Sequence, residues 1–310
     1  MRLSTFIYER VLNTSGLSRQ LWNLSRRVLV KLFNDPPISM SIHGTILQMP
    51  LSHALPIYLK DYPFYDRLPG RLTEYLYDKD GFLKCIDVGA NIGDSIAGLY
   101  RHSKDTFLAI EPNPKFNRYL RKNWGDEKNV TILDFLCFSS SKHGTYMVKE
   151  MYGTASFYDS AHGIQIQSKS LDDIVAEIPT FSDPNLIKVD TDGHDFEVIA
   201  GAKSVIATNL PAVIFELDVF ANVTYLEDCM NTLSFFNNMG YRNFLLYDNF
   251  GNFMGTHQMD SLSHLKDLLF YQLMRKYYYF DILIMKEEDI ENFLTLEHAH
   301  FVDMMLNKTF

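Results

Sequence analysis

From Phe82 onward the chain alternates short apolar runs with stretches of helical periodicity. The runs Leu83–Val88, Phe107–Ile110, Val130–Phe135, Leu186–Val189, Val213–Leu217, Asn243–Tyr247 and Phe280–Met285 are bounded by turn-forming residues and predict seven strands. Helices are expected between them at Asp195–Thr208, at Leu226–Met239, where Gly240 follows the last turn, and at Glu287–Asn307, which opens on three acids. Strands that alternate with helices imply an α/β, Rossmann-like domain over 80–310, with a mostly parallel seven-stranded sheet and an antiparallel last strand.

Residues 1–79 read as an N-terminal helical extension and a lid-like approach. Leu21, Leu24, Val28, Leu29 and Leu32 recur at helical spacing, and 1–35 carry Arg2, Arg10, Arg19, Arg26, Arg27 and Lys31 against Glu9 and Asp35. Packing on the catalytic domain or on a second subunit is the expected arrangement, and contact with an acidic membrane surface is the alternative. Six prolines break residues 36–80 into short strands and turns before a helix at Arg71–Tyr77.

Composition narrows the classes. With 310 residues, 46% hydrophobic, the chain can bury a large core, and a net charge of −9 supplies no basic field for nucleic acid. Cys85, Cys137 and Cys229 are widely spaced in apolar runs, so neither a disulfide nor a zinc site is expected. No long apolar segment suggests a membrane span or a signal peptide, which points to the cytoplasm.

The candidate chemistry starts at Asp87-Val88-Gly89-Ala90-Asn91-Ile92-Gly93, where a strand ends in a glycine-bearing turn. A second strand then closes on Glu111-Pro112, placing a carboxylate where it can accept both ribose hydroxyls of a nucleoside. Asn91 stands where a dinucleotide fingerprint needs glycine. Asp87 and Asp94 would repel a pyrophosphate but suit a cationic sulfonium, favouring S-adenosylmethionine over NAD. A nucleotide-linked oxidoreductase is the alternative from another class.

A second group of acids follows the fourth strand as Asp190, Asp192, His194 and Asp195, with Glu216 and Asp218 ending the fifth. Two roles compete. His194 or Asp190, with Asp192 beside them, would take a proton from an acceptor hydroxyl, or Asp190, Asp192 and Glu216 would hold Mg²⁺ or a similar divalent cation. The loop Tyr152-Gly153-Thr154-Ala155-Ser156-Phe157 is a candidate acceptor contact, with Tyr152, Phe157 and Tyr158 as stacking residues. Tyr247–Asn252 reads as a turn.

These segments, together with Ser170-Leu171-Asp172 and Ile187–Asp195 followed by Gly201-Ala202 and Glu216, resemble the FkbM family of S-adenosylmethionine-dependent methyltransferases. Where that family carries Glu in its acid-Gly-x-acid segment, this chain has Asp192 and Asp195, each one methylene shorter. The resemblance implies a class I methyltransferase fold and methylation of oxygen, commonly on a sugar hydroxyl of a surface polysaccharide or its precursor. A natural-product or lipid hydroxyl is the alternative acceptor. It also implies that Asp87, Gly89, Asn91 and Gly93 shape the methionine and ribose end and that Glu111 holds the ribose, with Asp134 a candidate for the adenine side.

Overall fold

The computed structural model describes residues 3–151, 153–159, 162–218, 224–260, 263–274 and 279–307. Its N-terminal part comprises α1 (Leu3–Asn13), α2 (Gly16–Leu32), the antiparallel pair β1 (Pro37–Ile42) and β2 (Thr45–Pro50), then α3 (Leu55–Asp61) and α4 (Leu68–Asp80). Both α3 and α4 carry proline in their first turn, where a missing N–H costs nothing, and α4 stops at Gly81 in the left-handed region, φ 76°.

The central unit runs β3 (Lys84–Val88), α5 (Asp94–Leu99), β4 (Thr106–Ile110), α6 (Pro114–Trp124) and β5 (Val130–Leu133). An insertion follows: β6 (Leu136–Cys137), β7 (Lys142–Met151), β8 (Thr154–Asp159) and β9 (Ile164–Lys169) form their own four-stranded sheet. The chain returns through α7 (Leu171–Glu177), β10 (Leu186–Val189), α8 (Asp195–Ala200), α9 (Lys203–Asn209), β11 (Ala212–Leu217) and α10 (Tyr225–Asn238). It closes with β12 (Asn243–Asp248), β13 (Phe253–Gln258), α11 (Ser263–Met274), β14 (Phe280–Ile284) and α12 (Glu287–Asn307).

The main sheet has the order β13-β12-β14-β11-β10-β3-β4-β5, parallel from β11 to β5, with β14 antiparallel to both β11 and β12. This is the expected Rossmann-like α/β architecture, with two corrections. An eighth strand, β13, pairs antiparallel with β12 across the Asp248–Asn252 turn. The helix expected over Asp195–Thr208 is two helices, because Gly201 lies against the Phe138 carbonyl, which a Cβ would approach to 2.1 Å.

Alternation along the strands divides the core between the two faces of the sheet. Ile86, Val88, Ile187, Val189, Phe215 and Ile282 belong to one buried cluster. Cys85, Phe107, Leu186, Ile214, Leu283 and Tyr247 belong to the other, which also takes in Tyr8, Ile38, Leu72 and Phe293, so the N-terminal segment shares a core with the sheet. The three cysteines are buried and free. Among the described residues no helix is long and apolar enough to cross a membrane. Tyr152, Tyr277 and Tyr278 lie outside the described residues.

Candidate active site

At the carboxyl end of β3 the chain turns back on itself and hangs from β4, where Gly89 and Ala90 donate to the Ile110 carbonyl at 2.9 and 3.1 Å. Gly89 has φ 86°, and a Cβ on it would sit 1.8 Å from the Asp190 carbonyl oxygen, so only glycine fits. Gly93, φ 83°, is closed off in the same way by Trp124 and caps α5. Asn91, between them, is also left-handed, φ 49°.

Glu111 organises this turn. Its two carboxylate oxygens accept from the backbone N–H of Asn91 at 2.8 Å and of Asn113 at 2.7 Å, leaving lone pairs on both for hydroxyl donors. Burial lifts its pKa to about 7 against those two hydrogen bonds. Asp87 is fully buried, and although the Ser95 side chain stands beside it, its carboxylate makes no well-formed hydrogen bond among the described residues. The Lys188 ammonium lies 3.8 Å away, and burial carries the Asp87 pKa up to about 6.

A cavity of about 850 Å³ opens above these strand ends, lined by Gly89, Asn91 and Glu111 on one side and by Asp190, Asp192, His194 and Glu216 on the other. Register explains the grouping. Asp87 pairs with Lys188 and Glu216 with Asp281, so one face of the sheet carries a row of charges across β3, β10, β11 and β14. Lys188 is the cation in that row: although burial opposes its charge, Asp190, at 2.7 Å, and Asp87 raise its pKa well above normal. Glu216 and Asp281 are pushed far up, first by burial and then by Asp190, with Asp281 adding to the shift of Glu216.

The acids after β10 divide their roles. Asp195 accepts from the Thr191 N–H and hydroxyl and from the Glu216 N–H, at 3.1, 2.6 and 3.0 Å, so it fastens the end of β10 to β11. Asp192 sits at φ 52° on the cavity wall, its pKa raised by burial and by Asp190 and Asp195. His194 donates from Nε2 to the Phe157 carbonyl at 2.7 Å and holds Glu197 through Nδ1 at 3.0 Å. Burial lowers its pKa, but these two partners outweigh it and the net shift is upward, a poor setting for a proton acceptor.

Two expectations are corrected. Asp134 is exposed and does not line the cavity, because β5 ends at Leu133 and it is Phe135, Leu136 and Cys137 that face inward. Asp190, Asp192 and Glu216 share the cavity, but among the described residues no three acids, histidines or cysteines are arranged to hold a metal ion. Asp190 turns instead onto Lys188.

The loop read from the sequence as a candidate acceptor contact supplies Gly153, Thr154, Ala155, Ser156 and Phe157 to the cavity wall. The β7–β8 turn drops onto the Asn91 loop, with the Asn91 side-chain amide donating to the Gly153 carbonyl at 2.7 Å. His53 lies beneath both, its Nε2 3.4 Å from the Asn91 amide oxygen and its carbonyl receiving the Tyr8 hydroxyl and Arg26. Complete burial lowers the His53 pKa to about 4, keeping it neutral. From the other rim come Asn249 and Phe250, in the turn after β12, with Phe250 stacked on Tyr62 at 4.2 Å and the buried Asn249 amide oxygen lacking a partner among the described residues. His53 and Asn249 carry no local sequence signal. Lys188, a charge inside an apolar strand run, does.

The Methyltransferase FkbM domain matches residues 87–243, about half of the chain. "Methyltransferase 1" of Beauveria bassiana (strain ARSEF 2860) is 25% identical over 150 residues, 40% of this chain, and the chain covers 59% of that relative. The crystal structure of the methyltransferase FkbM from Methylobacillus flagellatus KT superimposes with a TM-score of 0.39 at 21% identity, covering 53% of this chain and 39% of that one. An O-methyltransferase from Bacillus cereus in complex with SAH gives a TM-score of 0.41 at 10% identity, covering 86% of this chain and 99% of that one.

Proposed function

Starting from a chain that belongs to the FkbM methyltransferase family, we propose a cytoplasmic S-adenosylmethionine-dependent O-methyltransferase acting on a sugar hydroxyl of a surface polysaccharide or its precursor. The observation that carries this reading is one cavity joining Asn91 and Glu111 to Asp192 and Glu216. The residues suit the cofactor. Glu111 has lone pairs for the ribose hydroxyls, Phe135 and Leu136 offer adenine an apolar wall, and the carboxylates of Asp87 and Asp94 favour a cationic methionine end.

When bound, S-adenosylmethionine supplies an electrophilic methyl on a sulfonium. The protein's part is to align the acceptor oxygen, exclude water and remove a proton. We assign Asp192 as the proton acceptor because it lines the cavity beside Asp190 and Glu216; burial, Asp190 and Asp195 raise its pKa, and positive charge brought into the cavity would favour its ionised form. Asp192 would accept the proton that the acceptor hydroxyl loses, as cleavage of the S–CH3 bond turns the sulfonium into a neutral thioether. Asp190, held by Lys188, and Glu216 flank the same space as hydrogen-bond acceptors for neighbouring hydroxyls.

Calorimetric titration with S-adenosylmethionine and with NAD tests the cofactor. Binding of NAD alone overturns the proposal in favour of an oxidoreductase. Mass spectrometry of surface glycans from cells with and without the gene tests the acceptor, the expected difference being one methylene on one sugar residue.

A further inference from the structure

Helix α2 presents two unlike faces. One is fastened to the body of the protein: Arg26 is 7% exposed, donates to the Leu51 carbonyl at 3.1 Å and lies 5.0 Å over the Tyr8 ring. On the other, Leu17, Leu21, Leu24, Val28 and Leu32 are 78, 65, 59, 44 and 71% exposed. Their spacing of three and four residues puts them in one stripe, and at 3.6 residues per turn Arg26 falls about half a turn away from Leu17. The helix is therefore anchored by its back and offers an aliphatic ridge to its surroundings.

We propose that this ridge seats the enzyme on a membrane surface rich in anionic lipid. Charge selects the occupant. Arg27 and Lys31 are exposed beside the stripe and α2 contains no acid, in a chain whose net charge is −9. A second copy docked stripe to stripe would bring the basic flanks together, which is repulsive. Anionic headgroups neutralise those flanks while the leucines enter the acyl boundary. The helix is too short and too polar to cross a bilayer, so it lies in the surface plane.

Cosedimentation of the full-length protein with vesicles of phosphatidylcholine alone, or of phosphatidylcholine mixed with phosphatidylglycerol, tests the proposal. Binding is expected only to the anionic vesicles. Arg27→Gln/Lys31→Gln should weaken it roughly thirtyfold, at one basic residue's attraction each. Leu21→Ser/Leu24→Ser should weaken it at least about tenfold by removing the inserted side chains. Thermal melts identify any variant that fails to fold, and because the two pairs act through different forces, each stands without the other. The proposal is overturned if the wild type stays in the supernatant with anionic vesicles, if it binds both vesicles alike, or if sedimentation equilibrium shows a homodimer that Leu21→Ser/Leu24→Ser dissociates.

Discussion

Replacing Asp87 with asparagine is expected to stabilise the protein in the absence of cofactor and to weaken S-adenosylmethionine binding. The carboxylate is fully buried, makes no well-formed hydrogen bond among the described residues and lies 3.8 Å from the Lys188 ammonium. Its pKa rises from 3.8 to about 6 on folding, so at neutral pH the ionised group costs about 3 kcal/mol. An asparagine amide left without an acceptor gives back about 1–2 kcal/mol, for a net gain of about 1–2 kcal/mol and about 2–4 °C in Tm. Because the folded form binds the proton more tightly than the unfolded form, the cost is absent below pH 3.8, grows as pH rises and is complete above about 6. Differential scanning calorimetry of both proteins at pH 4 and pH 7.5 measures this, and titration calorimetry should show at least about tenfold weaker S-adenosylmethionine binding by the variant. A Tm difference that is equal at both pH values, or a variant less stable at pH 7.5, refutes the reasoning.

Other outcomes follow from the same geometry. Asp192→Asn should lower kcat by about 10²–10⁴, whereas His194→Gln should leave the pH profile of kcat unchanged in shape, since the imidazole positions the Phe157 strand; the two pH–rate profiles check this. Gly153→Ala, at φ 107° with its new Cβ 2.9 Å from the His53 ring, should loosen Asn91 and raise the S-adenosylmethionine Kd, read by calorimetry. Glu297 is wholly buried and receives Arg71 at 2.5 and 2.8 Å and the Tyr247 hydroxyl at 2.9 Å. Glu297→Ala leaves both partners stranded and should cost about 3–5 kcal/mol in urea unfolding.

Seven strands of the main sheet were legible because each is a short apolar run whose partners also read as strands, whereas β13, Phe253-Met254-Gly255-Thr256-His257-Gln258, mixes polar and apolar residues and was not. Nor was the β6–β9 sheet. Its strands mix polar and apolar residues, as in Lys142-His143-Gly144-Thr145-Tyr146, and their stability comes from pairing across sequence separations that periodicity does not register. The Asp87–Gly93 turn and Glu111 could be read from the sequence because the motif is local and its partner is the end of the next strand. His53 could not, since it meets Asn91 only after the N-terminal segment has packed on the sheet. The break at Gly201 was hidden for a related reason: nothing near it in sequence reveals the Phe138 carbonyl it rests on.

The insertion is joined to the cofactor loop through the Gly153 carbonyl, a main-chain atom. A turn with glycine at that point, φ 107° over the His53 ring, preserves this main-chain attachment. Apart from Glu150, whose carboxylate receives Asn113 and Lys115, the exposed positions of the hairpin arms can diversify, and the insert behaves as an interchangeable cassette. Grafting the β7–β8 segment between relatives, with this glycine and its asparagine partner kept, should transfer acceptor preference while the methyl-donor affinity stays with the recipient.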